Sequence, residues 1–588
     1  MNRRLPLRFG WLLAVLPLMA CQDGGSSAAD TDMGTSTGGG STATSGMTDP
    51  STTSEGSSTG GSTGADPGDG SSGSSTGAVA CDTPADCAAQ AEGDAAAELE
   101  DIREDAGAVK AFLVDMPLGG DIHHHLSGSV YAETYLGWAQ ADDDYCVTES
   151  SLALSLSCGD GNDVPVPSAR RDLYLDIVRA WSMYEFVPSP SESGADHFFA
   201  AFAKFGAISG FQHGRMLADV RRRAAAQNLL YIEPMLTSNS TARSLGQDVW
   251  ASLGGGSLTP ADYASFHAAL LADPGFAAAR ARLTDDAENS EDIANAEQSC
   301  GTASAAPGCS VRTRYQAYIS RSGTDSGVFA QMVAAYEAAI VEPRIVGLNL
   351  VGPEYGSTAM ANYDDQMSML EFLGDYYADT SPLRLSLHAG EITADTVPDG
   401  YTLAEADHIR KAVEIAGTRR IGHGIDVMFE SDADGLLDLL RDQDVLVEVC
   451  LASNDIILEV SGPTHPIQDY LAQGVPVALA TDDQGIARSS LADEFVRGVM
   501  DQDLSYLELK QMVRASLEYS FLPGESFWSD LPGGVVVEAC APAQGDTPVT
   551  QSPSADCQAF LDGSERAQLQ RLLESQFETF EAELSFHG

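Results

Sequence analysis

The sequence predicts an α/β fold of the (β/α)8 TIM-barrel type, and three observations support this prediction. Short apolar runs recur along the chain and alternate with helical or loop stretches. The runs are almost continuously apolar, which is typical of strands buried on both faces of a parallel sheet. Polar residues follow at their carboxyl ends, which converge on one mouth in a barrel. We therefore expect a barrel with insertions, preceded by a signal peptide and a disordered tether.

Eight candidate strands account for the predicted ring. Between the later ones, the stretches 402–417 and 433–444 show the apolar periodicity of amphipathic helices. The alternative is a doubly wound open sheet, but no glycine-rich nucleotide loop follows the first run. The predicted strands are 119–125, 229–235, 314–320, 344–352, 383–391, 420–426, 445–453 and 475–483.

Residues 1–21 have the pattern of an export signal. Three arginines precede an apolar stretch that is too short to span a membrane. The sequence LMAC at 18–21 resembles a bacterial lipobox, in which Cys21 becomes the lipid-modified first residue. The alternative is an ordinary cleaved signal. We expect an exported protein, either a membrane-anchored lipoprotein at the cell surface or in the periplasm, or a secreted one.

The composition divides the rest of the chain in two. Residues 22–80 are rich in Gly, Ser and Thr and have almost no large apolar side chain, which predicts a disordered tether. The barrel domain is then 81–588, with insertions near 141–170 and 238–311 that we expect close to the barrel mouth. The segment 181–205 is rich in aromatic residues and either covers the site or packs as helical core.

The cysteines agree with export. Eight of the ten form sequence-local pairs, which predicts small disulfide loops in an oxidising compartment, and Cys450 is left as a buried free thiol. The predicted pairs are Cys81/Cys87, Cys146/Cys158, Cys300/Cys309 and Cys540/Cys557.

The charge bears on the possible partners. A formal net charge of -54 repels the phosphates of nucleic acids and anionic membrane surfaces. We therefore expect no nucleic-acid partner, and contact with a membrane only through a lipid anchor at Cys21.

Histidines at the end of the first strand predict a metal site. His123 and His125 lie on one face of a strand because side chains alternate, whereas His124 points away. His388 ends another strand and Asp482 follows the last one. Three imidazole nitrogens, one carboxylate and a water form a catalytic zinc site with an open position.

The motifs together resemble a known family. MPLGGDIHHHLSGS, LNLVGPE, SLHAGE, RIGHG, EVCLASN and ALATDD occur in this order. They are similar to the motifs of the adenosine and AMP deaminase family of metal-dependent hydrolase barrels, from about residue 116 to 495. Export and disulfides resemble the secreted adenosine deaminase growth factor branch, here in a bacterial lipoprotein form.

The resemblance implies a zinc-dependent hydrolase of the EC 3.5.4 type that converts adenosine to inosine and ammonia. In this family Glu391 would protonate purine N1, and His423 would act as base and orient the attacking hydroxide. Asp483 would accept a hydrogen bond on the N7 side, and the backbone N–H of Gly352 would face N3. One Zn²⁺ per chain would be bound by His123, His125, His388 and Asp482.

The sequence departs from the family at the sugar-binding position. Where the family motif often ends with an aspartate that contacts ribose, this chain has Ser127, a weaker hydrogen-bonding group. Smaller departures are Leu451, Ala452, Ala480 and Gln484. The substrate is thus adenosine or deoxyadenosine, or alternatively adenine or another adenine nucleoside. A further alternative is a non-catalytic surface binding protein.

Overall fold

Eight parallel strands form a barrel, which confirms the predicted fold class. The structure is a computed structural model that describes residues 81–142, 144–156, 162–165, 169–236 and 238–585. Each strand pairs with the next one in chain order. The strands are β1 Gly119–His125, β2 Leu229–Met235, β3 Tyr315–Ser320, β4 Ile345–Val351, β5 Arg384–Ala389, β6 Arg420–His423, β7 Leu446–Val449 and β8 Val477–Leu479.

The ring closes beside the first and last strands through the backbone of three predicted metal ligands. The backbone N–H of His125 donates to the carbonyl of Asp482 at 2.9 Å, and the N–H of Asp482 donates to the carbonyl of His123 at 2.9 Å. His124 and Asp482 are paired as a parallel bridge. The backbone of Asp482 therefore closes the barrel, and its side chain belongs to the site.

The later strands are shorter than the apolar runs predicted. Backbone conformations with positive φ follow or end them: His423 at 69° ends β6, and Asp482 at 56° lies just beyond β8. Gly390, at 79°, follows β5. An apolar run does not reveal such a turn, and non-glycine residues in this conformation cluster at functional sites.

Helices surround the ring. Those preceding β4 are α1 Pro84–Ile102, α2 Ala106–Asp115, α3 Ala132–Asp142, α4 Arg171–Ala180, α5 Gly194–Ser209, α6 His213–Ala226, α7 Ser240–Ser252, α8 Tyr263–Ala272, α9 Phe276–Glu297 and α10 Asp325–Val341.

The helices after β4 include the two predicted amphipathic stretches. The 402–417 stretch is broken by Asp407 at φ 45°, so it forms two helices. The helices are α11 Ser357–Ala361, α12 Tyr363–Tyr377, α13 Leu403–Ala406, α14 His408–Glu414, α15 Ala433–Asp442, α16 Leu451–Leu458, α17 Ile467–Gln473, α18 Gln484–Ala487, α19 Leu491–Gln502, α20 Tyr506–Glu518, α21 Ala555–Asp562 and α22 Glu565–Ser585.

The two insertions differ in structure. The described part of 141–170 forms a three-stranded antiparallel sheet. In 238–311, α7 packs against α10, and α9 packs against α6, α7 and α10, so this insertion is largely helical. Its expected place near the barrel mouth stays a prediction. The short strands outside the barrel are Cys146–Thr148, Ala153–Ser155, Asn162–Asp163, Arg312–Thr313, Trp528–Asp530 and Val535–Val536.

Three of the four predicted disulfides are present: Cys81–Cys87, Cys300–Cys309 and Cys540–Cys557. Cys450 is a buried free thiol, as predicted. The remaining pair stays a prediction because Cys158 lies outside the described residues, as do the signal and tether, 1–80. Within the described ranges, none of the helices combines the length and apolar character needed to cross a bilayer.

Candidate metal centre and active site

The four predicted metal ligands converge at the carboxyl end of the barrel. The Nε2 atom of His388 lies 3.2 Å from Nε2 of His123 and 3.3 Å from Nε2 of His125. Oδ1 of Asp482 lies 3.1 Å from Nε2 of His125. Strands β1 and β5 and the turn that follows β8 thus direct three nitrogens and one oxygen to one point.

Hydrogen bonds behind the imidazoles hold two of these rings. Nδ1 of His123 lies 2.6 Å from Oε2 of Glu448, which can only accept when ionised. Nδ1 of His388 lies 2.7 Å from Oδ1 of Asn349, which also accepts the backbone N–H of His388. Both rings therefore donate through Nδ1, which directs the Nε2 lone pairs to the common point.

The electrostatics of this point favour a cation. Burial lowers the pKa of His123, but hydrogen bonds to Asp482 and Glu448 outweigh it and raise the pKa to about 10. Burial would raise the pKa of Asp482, yet the bonds to His123 and His125 hold it well below its usual value. An ionised carboxylate that faces three imidazole nitrogens fits a metal with three nitrogen ligands and one oxygen ligand.

His124 lies on the opposite face of β1, as the alternation of side chains predicted. It is buried, and its Nδ1 is 3.4 Å from Oγ of Ser129. Burial lowers its pKa to about 3. This side chain packs between β1 and α6, away from the metal ligands.

Glu391 follows β5 and is fixed by its own backbone. The N–H groups of Gly390 and Glu391 donate to the two carboxylate oxygens of Glu354 at 3.1 and 2.8 Å. Burial, with added repulsion from Asp482 and Glu354, raises the pKa of Glu391 well above its usual value. Burial therefore favours the protonated form of this side chain, which is the form able to donate a proton.

His423 ends β6 with one ring nitrogen bound and the other free. Its Nδ1 lies 3.0 Å from Nδ2 of Asn454, whereas its Nε2 is buried and has no hydrogen-bond partner among the described residues. Nε2 is 3.8 Å from Oε1 of Glu391. Burial and the nearby His123 lower the pKa of His423 to about 3, so the ring is neutral.

The carboxyl group of Asp483 packs directly against Gly128, in the turn after β1. A Cβ atom at Gly128 would lie 1.5 Å from Oδ1 of Asp483, so any side chain there would displace the carboxyl group. Burial and the neighbouring Asp482 raise the pKa of Asp483 well above its usual value. Oδ1 is buried and lacks a partner among the described residues. Burial thus favours the protonated form of this carboxyl group, which adjoins the metal ligands.

A cavity of about 270 Å³ opens beside these groups. Ser127 and Gly352 line it, as do three phenylalanines of α5, so the aromatic segment 181–205 does cover the site. No lysine or arginine lies among its described lining residues, which are His125, Leu126, Ser127, Phe198, Phe199, Phe202, Met235, Leu236, Ser238, Tyr318, Val351, Gly352, Pro353, His388, Glu391, Ile457, Asp482 and Asp483.

Sequence reasoning missed the residues that hold the ligands. Glu448 and Asn349 anchor two imidazoles, and Oγ of Ser453 donates to Oδ2 of Asp482 at 2.6 Å. Glu448 is further paired with Arg420, with Oε1 2.5 Å from Nε. A charged or amide residue inside an apolar strand, as in VLVEVC and LNLVG, was the available signal, because a buried polar group needs a partner.

Comparison with known proteins identifies the family. The family model described as adenosine deaminase matches residues 262–527, a range that includes His388, Glu391, His423 and both aspartates after β8. This match supports assignment of the chain to the adenosine/AMP deaminase family. The matched range begins after β1, so the His123–His125 motif of this deaminase-family chain stands on the geometry described above.

Curated relatives match part of the deaminase-family chain. Adenosine deaminase of Plasmodium gallinaceum is 29% identical over 166 residues, which is 28% of this chain and 42% of the relative. Adenine deaminase of Sinorhizobium medicae is 31% identical over 192 residues, or 32% and 52% of the two chains. Adenosine deaminase 2 of Dictyostelium discoideum is 30% identical over 203 residues, or 34% and 35%. The chain thus spans about half or less of the relatives' lengths.

Solved structures are also similar. An adenine deaminase from Arthrobacter aurescens has a TM-score of 0.42 and 19% sequence identity, covering 69% of this chain and 94% of the other. An N6-methyl-AMP deaminase from Arabidopsis thaliana has a TM-score of 0.44 and 18% identity, covering 70% and 94%.

Proposed function

We propose that this chain is a zinc-dependent hydrolytic deaminase that converts adenosine, or deoxyadenosine, to inosine or deoxyinosine and ammonia. The observation that carries the proposal is the convergence of four metal-ligand side chains beside the protonated acid Glu391. Zn²⁺ bound by His123, His125, His388 and Asp482 would act as a Lewis acid and supply a nucleophilic water at neutral pH.

The side chains around the cavity have complementary roles toward a purine. Glu391 donates its proton to N1, which makes C6 more electrophilic. The backbone N–H of Gly352 faces N3. Asp483 donates to N7, because N7 of an adenine nucleoside has no proton and the raised pKa keeps Asp483 protonated. This reverses the direction expected from the resemblance, in which Asp483 accepts.

The cavity favours a substrate without phosphate. Its described lining has no lysine or arginine, whereas Glu391, Asp482 and Asp483 contribute carboxyl groups. A phosphate would meet no opposite charge there, and the net charge of -54 opposes its approach. A neutral nucleoside meets neither penalty.

Adenine is the second candidate substrate. Ser127 offers a hydroxyl where the family often has a ribose-binding carboxylate, so less of the binding energy depends on a sugar. The Sinorhizobium medicae relative is an adenine deaminase. Turnover of adenosine against adenine separates the two candidates.

Ammonia release by the purified, metal-analysed protein tests the proposal. We expect release from adenosine, and we expect Glu391→Gln to lower kcat at least about 100-fold while the zinc content stays at one per chain. Glu371→Gln, on the exposed face of α12, serves as the matched control and should keep full activity. Zinc-loaded, folded protein that releases no ammonia from adenosine, deoxyadenosine or adenine would support the non-catalytic binding alternative instead.

We also propose that the enzyme acts outside the cytoplasm as a lipoprotein anchored at Cys21. The lipobox-like LMAC and the arginine-containing start support this, as does the set of disulfides. Incorporation of radiolabelled palmitate in a bacterial host should depend on Cys21, so Cys21→Ser should lose the label and release the protein from membranes. Equal labelling of the two forms would contradict the anchor.

A further inference from the structure

We infer that a hydrogen-bond relay from the backbone of α17 places the proton of His423 on Nε2, so that His423 donates a hydrogen bond to the attacking water and does not remove its proton. The relay consists of Ile467, His465, Asn454 and His423. His465, Asn454 and His423 are at most 3% exposed, so solvent does not compete for their hydrogen bonds.

The direction of the relay is set at its first step. The backbone N–H of Ile467 can only donate, and it donates to Nδ1 of His465 at 3.1 Å. Nδ1 of His465 therefore carries no proton. Burial lowers the pKa of His465 to about 4, so the ring is neutral and its single proton lies on Nε2.

The side-chain amide of Asn454 transmits the donor-to-acceptor direction from His465 to His423. Nε2–H of His465 donates to Asn454 at 3.2 Å, so the end of the amide that faces His465 is the oxygen. The NH₂ end of Asn454 then lies 3.0 Å from Nδ1 of His423. Because an amide nitrogen only donates, Nδ1 of His423 must accept, and the neutral ring carries its proton on Nε2.

This tautomer separates His423 from the metal ligands. Ligand atoms of His123, His388, His423 and Asp482 all lie within 4.8 Å of one another, so distance alone leaves His423 as a possible ligand. A protonated nitrogen has no lone pair to give to a metal. His423 thus presents an N–H on the side of Glu391, where Nε2 has no hydrogen-bond partner among the described residues.

The role in the reaction rests on the proposed function, and the protons balance without His423 as acceptor. Glu391 gives its proton to N1, and the resulting carboxylate takes the first water proton as the water oxygen bonds to C6. Glu391 then passes this proton to the amino group, which leaves as ammonia. The second water proton restores Glu391. His423, 3.8 Å from Glu391, orients the oxygen throughout by donating to it.

Neutron diffraction from deuterium-exchanged crystals of the metal-loaded protein tests the tautomer directly. We expect deuterium on Nε2 and none on Nδ1 in both His465 and His423. Deuterium on Nδ1 of His423 would overturn the inference. The measurement needs no substrate, so its result is independent of whether adenosine is turned over.

Asn454→Asp tests the catalytic consequence. A carboxylate accepts only, so it moves the His423 proton to Nδ1 and leaves Nε2 bare. We expect kcat to fall about 100-fold, with KM within threefold and zinc content unchanged. Asn295→Asp, the same change beside Arg221 on α9, should retain wild-type kinetics. An undiminished kcat in Asn454→Asp would show that His423 acts as a base.

Discussion

At the scale of single residues, the site depends on a carboxylate that touches no substrate. Glu448 lies inside the barrel with both oxygens used, one by Nδ1 of His123 and the other by Arg420 and Ser386. Arg420 in turn pairs with Glu233. The charge that orients a metal ligand is therefore itself held by a buried ion-pair network.

Glu448→Gln should weaken metal binding about 10- to 100-fold, because the neutral amide accepts the Nδ1–H of His123 more weakly than the carboxylate does and so makes Nε2 a less basic ligand. Competition with a chromogenic chelator measures this affinity. Glu233→Gln is the matched control, since it disturbs the same arginine without touching a ligand. It should lower stability but keep the affinity. An equal loss of affinity in both variants would contradict a specific role for Glu448.

Glu494 makes stability depend on pH. Burial raises its pKa from 4.5 to about 7 in the fold, and the side chain accepts the N–H of Ala452. An acid whose folded pKa is raised contributes stability that is complete below about pH 4.5 and is lost as pH rises toward 7. The loss is about 3 kcal/mol at most.

Glu494→Gln removes this dependence, because the amide mimics the protonated acid. Relative to wild type, the variant should gain up to about 3 kcal/mol in unfolding free energy between pH 4.5 and pH 8. Urea unfolding at the two pH values, with Glu371→Gln as control, measures the difference. A constant difference between variant and wild type across this range would show that Glu494 ionises normally in the fold.

Residues that bind a metal or take part in the reaction are easier to predict from the sequence than the residues that support them. His123, His125 and His388 follow from strand alternation and strand ends. The acceptors behind them, Glu448 and Asn349, required knowledge of which strands are neighbours. The direction of the bond at Asp483 depends on its burial, which a sequence pattern does not give.

At the scale of elements, α5 forms the aromatic wall of the cavity and is pressed against α16. A Cβ atom at Gly194 would lie 2.0 Å from the carbonyl oxygen of Ile456, so the two helices are in backbone contact there. The wall residues Phe198 and Phe199 follow one turn later. The position of the wall therefore depends on the absence of a side chain at Gly194.

Gly194→Ala should raise KM roughly tenfold with little change in kcat, because the displaced wall weakens binding equally in the ground and transition states. Steady-state kinetics with adenosine measure both constants. Gly206→Ala on the same helix is the control, since its Cβ would meet nothing within 4 Å. It should leave KM unchanged and stabilise the helix by about 0.5 to 1 kcal/mol. A similar KM in the two variants would contradict this role for Gly194.

Sequence patterns located the elements well and their ends less well. Amphipathic periodicity found α15, but it did not reveal the break at Asp407 or the early ends of β6 and β8. Single residues at positive φ cause these differences, and tertiary contacts at the barrel mouth select them. The packing of α7 on α10 and of α9 on α6 likewise depends on partners far away in the chain.

At the scale of the whole molecule, charge opposes folding. The chain has 86 acidic and 32 basic residues, so like charges repel one another across the surface. Raising NaCl from 0.05 to 1 M should therefore raise Tm, because salt screens this repulsion. Differential scanning fluorimetry measures the shift, with sucrose at equal osmolality as control. A Tm that falls with salt would mean that attractive ion pairs dominate.

The whole-molecule architecture was predictable because eight apolar runs with polar ends have few arrangements that bury every run. What the sequence did not provide was the closure of the ring through the backbone of Asp482, which depends on exact register between β1 and β8.

That closure has a consequence for biosynthesis. A ribosome adding about 5 to 20 residues per second makes Asp482 roughly 20 to 70 s after His125, since about 360 residues separate them. Through that interval the nascent chain has two or three of the imidazole ligands but lacks the Asp482 carboxylate. Loading with the correct metal is therefore a step after synthesis, and the compartment where the last strand docks determines which metals compete for the site.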